Sequence, residues 1–334
     1  METNGNGITS LLDEILAKGV ELKASDIHLE PREEYTRVRY RVDGMLQDGS
    51  PIHKSRHNAL ISRVKVMVNL DIAESRLPQD GRTNLKIKKD HIDLRVSTIP
   101  TIHGEKAVIR LLNRNHALLS LQELGMENYD LETYKAIISK RTGIVLVTGP
   151  TGSGKTTTLY ATLTQLNSKE VNIITIEDPV EYQLPGINQI QVNVKSGLTF
   201  ARGLRSILRQ DPDIIMIGEI RDLETAKTAI QSALTGHLVF STLHTNDAPS
   251  AVTRLLEMGI EKYLVEATLL GVVAQRLVRK ISPNGYEGRT GIYEVMIGAY
   301  PQKGMRTLLE DGLLKVNKGI TSHEEIARVV SLEG

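Results

Sequence analysis

Residues 149–156 constrain the fold of this chain more than any other stretch. Their letters, GPTGSGKT, fit the pattern G-x-x-x-x-G-K-[ST] of a phosphate-binding loop. Residues 144–147 before the loop are apolar and mostly β-branched, which indicates a buried strand, and residues 157–165 after it predict a helix. A bare Gly-rich turn before an ordinary helix is the alternative. The filled motif and both correct flanks favour a phosphate loop in a parallel α/β domain.

Each residue type in this loop has a use in phosphate binding. Glycines let the backbone approach a ligand closely, and the N–H groups at a helix start face an anion. Lys155 adds a positive charge, and the Thr156 hydroxyl is suited to Mg²⁺. The predicted nucleotide-binding residues are Gly149, Pro150, Thr151, Gly152, Ser153, Gly154, Lys155, Thr156 and Thr157.

The composition narrows the class of protein. A length of 334 residues predicts two domains, and a net charge of +1 gives no general attraction to nucleic acid or lipid. The absence of cysteine fits a reducing compartment and predicts no zinc site built on thiolates. No apolar run is long enough to span a membrane, and the first residues do not resemble a signal peptide. Two Phe, ten Tyr and no Trp are few for stacking single-stranded bases.

Residues 1–113 predict a small α/β domain with an antiparallel sheet. Apolar periodicity indicates helices at 8–20 and 57–70 and strands at 24–31 and 36–42. Asp43-Gly44 predicts a hairpin turn, and a second hairpin is expected around Asp90-His91. Residues 114–117 are interpreted as a linker to a second domain at 118–334.

From residue 143 strands and helices alternate, as in a parallel sheet. Apolar runs at 144–147, 172–176, 214–217 and 238–242 each end in polar residues. Because ligands bind at the carboxyl ends of such strands, five polar residues are expected to converge. They are Lys155, Glu177, Asp178, Glu219 and His244. Asp222 and Asp247 predict helix starts, 282–291 a Gly-rich loop, and 305–330 a terminal helical piece.

The residues at these strand ends suggest phosphate hydrolysis. Glu219 follows an apolar strand and is suited to orient an attacking water; a solvated helix-capping carboxylate is its alternative. Glu177 or Asp178 is expected near the water or the Mg²⁺, with Asp178 the tentative metal ligand; turn chemistry is the alternative. His244 is expected to sense the γ-phosphate or Glu219, against the alternative of a satisfied loop histidine.

The loop sequence itself contains no arginine, although hydrolysis often uses a guanidinium from elsewhere. First-domain candidates are Arg76, Arg82, Arg95 and Arg110, with Arg82 expected to project from a turn at residues 79–81. The alternating Arg37, Arg39 and Arg41 favour a solvated sheet face over a nucleic-acid groove.

Several segments together resemble the ATPases of type II secretion and type IV pilus assembly. The segments are ASDIHLEP, RYRVDG, RLPQDGR and RVSTIPTIHGEKAVIRLL in the first domain, and GPTGSGKTTTLY, TIEDPVEY, LRQDPDIIMIGEIRD and TGHLVFSTLHTND in the second. The last four resemble the family's Walker A, aspartate box, Walker B and histidine box. The stretches RLPQDGR, AQRLVR and GITSHEE are closer to the assembly and secretion branch than to pilus retraction.

The resemblance implies a RecA-like P-loop ATPase domain preceded by a PAS-like α/β domain. It implies a homohexamer at the cytoplasmic side of the inner membrane that drives pseudopilin or pilin assembly through a membrane platform protein and cytoplasmic docking proteins. ATP would bind between the two domains, with Glu219 catalytic and Arg82, Arg95 and Arg110 completing the site; Glu177 and His244 are counted with them as catalytic. Nucleic acid and zinc are not expected.

The chain departs from the family pattern in three places. The family's earlier N-terminal domain, which docks on partners, has no counterpart here. The tetracysteine zinc module would lie next to residues 282–286, where cysteine is absent, and the part after Met296 is short. Two alternative functions remain at this stage, a nucleic-acid translocase on the same motor core and a nucleotide-dependent switch with little turnover. The near-neutral charge and scarce aromatics argue against the first, and Glu219 with the acidic box against the second.

Overall fold

The computed structural model describes residues 4–113 and 119–330, with side chains from residue 7 to 112 and from 119 to 330. The chain divides into two compact units, residues 1–117 and 118–334, and each is described by itself. The linker predicted at residues 114–117 lies outside the described residues. No helix within the described ranges is long and apolar enough to cross a membrane.

The first unit is an antiparallel sheet with helices on one face. The helices are α1 (Asn4–Glu21) and α2 (His57–Met67), and the strands are β1 (Asp26–Pro31), β2 (Tyr35–Val42), β3 (Met45–Asp48), β4 (Ile52–His53), β5 (Gln79–Ile87), β6 (Asp90–Thr101) and β7 (Gly104–Asn113). The described strands run in the order β3-β2-β1-β7-β6-β5, with β4 paired to β2. Leu12, Leu60 and Ile27 belong to its core, where alternate strand residues meet the apolar helix faces. The predicted antiparallel α/β domain is confirmed.

Two turns in this unit test the hairpin predictions. Asp43 and Gly44 both have positive φ, 49° and 85°, and join β2 to β3 as predicted. The second predicted hairpin is confirmed as the pair β5–β6, but its turn lies at Lys88-Lys89 and not at Asp90-His91, because Ile87 pairs with Asp90. This register sets Leu85 opposite Ile92 on the buried face, and one buried pair outweighs a local turn preference.

The predicted turn at residues 79–81 is also wrong. These residues begin β5 and pair with Thr98, Ser97 and Val96 of β6. Gly81 lies close to the end of α2, since a Cβ atom there would come within 2.8 Å of the Val68 carbonyl oxygen. The glycine therefore serves a close approach of strand and helix, and does not make a turn.

The second unit is a mainly parallel sheet between two layers of helices. Its helices are α3 (Asn128–Ile138), α4 (Lys155–Leu166), α5 (Phe200–Ile207), α6 (Leu223–Leu234), α7 (Ala248–Glu257), α8 (Lys262–Thr268), α9 (Leu308–Asn317) and α10 (His323–Val329). Its strands are β8 (Gly143–Thr148), β9 (Ile173–Glu177), β10 (Asn188–Gln191), β11 (Ile214–Ile217), β12 (Leu238–Leu243), β13 (Leu269–Ser282) and β14 (Gly285–Ile297). The described order is β10-β9-β11-β12-β8-β13-β14, and only the β13–β14 pair is antiparallel. Short 3₁₀ turns at Lys54–Arg56, Leu121–Leu124 and Val194–Ser196 complete the two units.

Most of the predicted elements of this unit are confirmed. The four predicted strands are β8, β9, β11 and β12, and their fully buried residues explain their continuous apolar runs. Asp222 caps α6 by accepting a hydrogen bond from the Thr225 amide, and Asp247 caps α7 by accepting one from the Ser250 amide. The terminal helical piece consists of α9 and α10.

The Gly-rich loop predicted at residues 282–291 is wrong. Most of it belongs to β14, because Ser282 pairs with Gly285 across a two-residue turn. The Arg279 guanidinium stacks 4.2 Å from the Tyr286 ring centre and binds Glu325 of α10. These contacts stabilise a β-hairpin in this segment, whereas its glycine content alone predicted a loop.

Candidate functional site

The phosphate loop connects β8 to α4 in the strand–loop–helix order that the motif requires. Gly152 and Gly154 have φ values of 81° and 91°, in the left-handed region that side chains avoid. Gly154 is also the N-terminal cap of α4, so the first amides of the helix face the loop. The backbone of this segment is therefore shaped for an anion at the positive end of a helix.

Lys155 is buried inside the curve of this loop. Its Nζ donates hydrogen bonds to the carbonyl oxygens of Gly149 at 2.7 Å and Pro150 at 3.0 Å. Burial lowers the pKa of Lys155 to about 8, and the nearby negative charge of Glu219 opposes that shift. Thr156 follows with an exposed side chain in the first turn of α4. The loop thus combines an enclosed cation with an accessible hydroxyl.

Glu219 lies just beyond β11, with its side chain only 13 % exposed. Its Oε2 lies 2.6 Å from Arg221 Nε and 3.6 Å from His244 Nε2. His244 follows β12, the strand that pairs with β11. Burial, and next the charge of Lys155, lower the pKa of His244, so its imidazole is neutral near pH 7. The structure brings Lys155, Glu219 and His244 within electrostatic reach of one another.

Glu177 has a different environment at the end of β9. Its Oε1 accepts hydrogen bonds from Thr175 Oγ1 at 2.6 Å and Gln189 Nε2 at 3.0 Å. Its Oε2 accepts a short hydrogen bond from the Tyr160 hydroxyl of α4. Three donors and nearly complete burial fix this carboxylate between β9 and α4. The next residue, Asp178, is exposed.

The three candidate arginines of the first unit form one row across its sheet. Arg82 lies opposite Arg95, Arg95 opposite Arg110, and Arg110 opposite Asp26. Directly opposed residues share a sheet face, so all three side chains leave the same side. Arg110 Nε lies 3.1 Å from Asp26, whereas Arg82 is exposed and has no ion-pair partner within the described residues. Arg76 lies outside the row and binds Glu74 at 3.0 Å.

The other basic stripe of this face is neutralised by carboxylates. Arg37 binds Asp48 through two hydrogen bonds of 2.6 and 2.9 Å, and Arg39 binds Glu30 at 2.6 Å. Arg41 donates to the Gly44 carbonyl at 2.8 Å. These pairs agree with the solvated sheet face that the sequence favoured over a nucleic-acid groove.

Sequence reasoning missed Gln275 and Arg276, which lie beside the phosphate loop. Gln275 Oε1 accepts a hydrogen bond from Thr158 Oγ1 of α4 at 2.7 Å. Arg276 Nη2 donates to the Asn246 carbonyl at 2.7 Å. Only the sheet order, with β13 next to β8, reveals this neighbourhood. The sequence alone offered one signal, two long polar side chains inside an apolar run.

Comparison with known proteins identifies the family. The family model described as type II/IV secretion system protein matches residues 2–328. The chain belongs to the type II/IV secretion system protein family. Type II secretion system protein HxcR of Pseudomonas aeruginosa is 50% identical, over 98% of this chain and 78% of that protein. Type II secretion system ATPase E of Vibrio cholerae is 46% identical, over 96% of this chain and 75% of that protein.

A solved structure agrees with this assignment. The pilus retraction motor PilT with bound ADP is 28% identical, with a TM-score of 0.69 over 96% of this chain and 97% of the other. The resemblance noted in the sequence, the two-domain secretion-ATPase fold and the assignment to secretion-family motor ATPases are therefore confirmed. The alignment with HxcR spans 365 positions against 334 residues here, so that relative contains residues that this secretion ATPase lacks.

The donor chemistry of the site fits a magnesium ion. Mg²⁺ prefers oxygen ligands and usually takes only one or two from the protein beside water and phosphate. Thr156 offers an exposed hydroxyl, and Glu219 and Asp178 offer carboxylates. Within the described ranges no group of three or more histidine, cysteine, aspartate or glutamate side chains could hold a metal alone. The site fits a metal delivered together with a nucleotide.

Proposed function

We propose that this secretion ATPase hydrolyses ATP to ADP and phosphate, and that a ring of its copies, a homohexamer, powers the assembly of a pseudopilus or type IV pilus. One observation carries the proposal: a complete phosphate loop with an enclosed lysine faces a glutamate and a histidine from neighbouring strands. The Vibrio cholerae relative is named as an ATPase, which supports ATP hydrolysis by this chain.

The site residues divide the work of phosphoryl transfer. The loop amides of residues 149–157 and the Lys155 ammonium bind the β- and γ-phosphates. Glu219 orients the attacking water and accepts its proton, while neutral His244 fixes the carboxylate and responds to the γ-phosphate. Mg²⁺, when bound, neutralises charge on the phosphate oxygens, and Thr156 and Asp178 would hold it through oxygen atoms.

Glu177 has a structural role in this proposal. Its three hydrogen bonds join β9 to α4, the helix that begins at Lys155. Three of the roughly four lone-pair sites of this carboxylate are occupied, so it has little capacity left to accept a proton from water. We therefore assign Glu177 to holding α4 in place and Glu219 to the water.

The arginine row is proposed to serve the hydrolysis step. Arg82, Arg95 and Arg110 present three guanidinium groups on one sheet face, and Arg82 has no carboxylate partner within the described residues. Cations near the γ-phosphate accelerate phosphoryl transfer because they stabilise the negative charge that develops there in the transition state. A row of this kind is suited to that task.

The partners of the motor are proposed from its relatives. HxcR and the Vibrio cholerae ATPase are named as parts of type II secretion systems. We propose that this chain acts on the cytoplasmic side of the inner membrane, where a platform protein and cytoplasmic docking proteins convert its cycle into polymer growth. No zinc is assigned to it, since thiolate ligands are lacking in the sequence.

An ATPase assay across size-exclusion fractions, with and without added DNA, tests this proposal. We expect MgATP turnover to peak in the hexamer fraction and to be insensitive to DNA. Turnover that rises severalfold with DNA would instead indicate a translocase. ATP binding with no turnover in any fraction would indicate a switch.

A further inference from the structure

The strand β13 continues past the end of β8 and flanks the phosphate loop. Val273 pairs with Val147 and Ala274 with Thr148, the last residue of β8. The next two residues of β13 therefore lie alongside the loop. A Cβ atom on Gly149 would come within 2.6 Å of the Gln275 carbonyl oxygen and 3.1 Å of Arg276 Nη1.

Arg276 connects the part of β13 beside the loop to the segment that follows β12. Its Nη1 donates to the Gln275 carbonyl at 3.0 Å, and its Nη2 donates to the Asn246 carbonyl at 2.7 Å. The same segment is held again where Glu294 Oε1 accepts a hydrogen bond from the Ala248 amide at 2.8 Å. Asn246 and Ala248, two and four residues beyond His244, are thus held by β13 and β14.

A second link ties the segment after β12 to the end of β8. Thr148 Oγ1 lies 2.6 Å from Thr245 Oγ1 and accepts a hydrogen bond from the Thr245 amide at 2.9 Å. Thr245, which follows His244, is therefore tied to Thr148, the residue just before the phosphate loop.

Burial, the largest effect, lowers the pKa of Arg276, whereas the negative charges of Asp247 and Glu294 act on it from a distance and raise its pKa. The side chain is buried, with the residue 7% exposed, and no carboxylate lies within 4 Å of it among the described residues. A buried charge without a paired partner is costly in a folded protein. The positive charge of Arg276 also contributes to lowering the pKa of Lys155. Lys155 and Arg276 are thus two enclosed cations near an anion-binding loop, an arrangement suited to a highly charged anion.

We propose that Arg276 is a positioning residue of the nucleotide site, which holds residues 246–248 against β13 beside the phosphate loop and supplies a fixed positive charge next to that loop. The charge favours a triphosphate over a diphosphate, because the interaction grows with the charge of the anion. The two carbonyl contacts keep His244 in place for turnover. This inference rests on the proposal that the loop binds ATP.

The test uses the full chain with Mg²⁺, a fluorescent non-hydrolysable ATP analogue and fluorescent ADP. Arg276→Gln removes the charge, and Arg276→Lys keeps it but replaces the planar fork by a compact ammonium. Arg279→Gln is the matched control, since Arg279 lies three residues further along β13 and binds Glu325. Dissociation constants, kcat and thermal unfolding are measured for each variant.

We expect Arg276→Gln to weaken binding of the analogue at least about tenfold and that of ADP clearly less. Arg276→Lys should keep the affinity for the analogue within about threefold of the parent, while kcat falls about tenfold or more. Arg279→Gln should change neither affinity. Equal losses for both nucleotides, or parent-like kcat in Arg276→Lys, would overturn the inference.

Two controls keep the result interpretable. If Arg276→Gln does not unfold cooperatively, Arg276→Lys decides alone, because a parent-like kcat in it contradicts the positioning role. If the parent chain binds neither nucleotide, the proposed function itself fails. If the parent binds both and Arg276→Gln binds them equally well, only this inference fails.

Discussion

The Nε2 atom of His244 lies 3.6 Å from the same Glu219 oxygen that Arg221 Nε approaches to 2.6 Å. A histidine from the end of one strand and an arginine two residues along from Glu219 therefore share one carboxylate oxygen. Because the pKa of His244 is lowered by burial, the contact near neutral pH is polar and not ionic. The position of the loop after β12 can thus influence Glu219 without adding a charge.

Glu219→Gln should separate binding from turnover. The amide keeps the size of the side chain but cannot accept a proton from water, so kcat should fall about a hundredfold or more with nucleotide affinity within about threefold. Steady-state hydrolysis and equilibrium binding measure the two effects. Glu257→Gln, which alters an exposed ion pair with Arg254 on α7, is the control and should match the parent. Normal turnover in Glu219→Gln would remove Glu219 from the mechanism.

Nucleotide affinity should depend on pH through Lys155. Its pKa of about 8 in the free protein means that the ammonium is already formed below pH 7, so Lys155 adds no pH dependence there. A bound polyphosphate favours the charged lysine, so binding above pH 8 requires proton uptake. The dissociation constant should then rise by up to about tenfold per pH unit.

Titration of ADP affinity between pH 6 and 10 measures this dependence. Lys155→Arg provides the comparison, because its guanidinium stays protonated throughout and its affinity should be independent of pH above 8. The same rise in the parent and in Lys155→Arg would show that another group is responsible.

The arginine row should affect hydrolysis more than ADP binding. Alanine at Arg82 or Arg110 should lower kcat about tenfold or more, because each substitution removes a cation that we propose stabilises the charge on the γ-phosphate. Arg37→Ala is the control on the same sheet face, where Arg37 is already paired with Asp48. If the Arg82 and Arg110 variants hydrolyse ATP as fast as Arg37→Ala, the row is only a solvated surface.

Tyr160→Phe should destabilise the second unit. The substitution removes a buried hydrogen-bond donor to Glu177 and should lower the free energy of unfolding by about 1–3 kcal/mol. Tyr182→Phe is a close control, because the Tyr182 ring packs edge-on 4.6 Å from Tyr160 but its hydroxyl makes no hydrogen bond within the described residues. Urea unfolding of both variants compares them, and equal losses would contradict a fixed role for the Glu177 network.

Sequence patterns were reliable where one local rule decided the structure. The buried strands β8, β9, β11 and β12 and the caps Asp222 and Asp247 follow from apolar runs and short polar side chains. The errors came at Gly81 and at Lys88-Lys89, where contacts far along the chain override local turn preference. A glycine required for close approach to Val68 is indistinguishable in sequence from a glycine that makes a turn.

The sequence by itself determined the phosphate loop, its Lys155 and Thr156, the strand-end residues Glu219 and His244, and the family. These features are local, since the motif and its flanking strand and helix occupy adjacent residues. Only the tertiary structure decided that Glu177 is enclosed by Tyr160 and its neighbours, that three arginines share a row, and that Arg276 lies next to the loop. Those relationships depend on strand order and register, which pair residues far apart in the chain and leave no local signal.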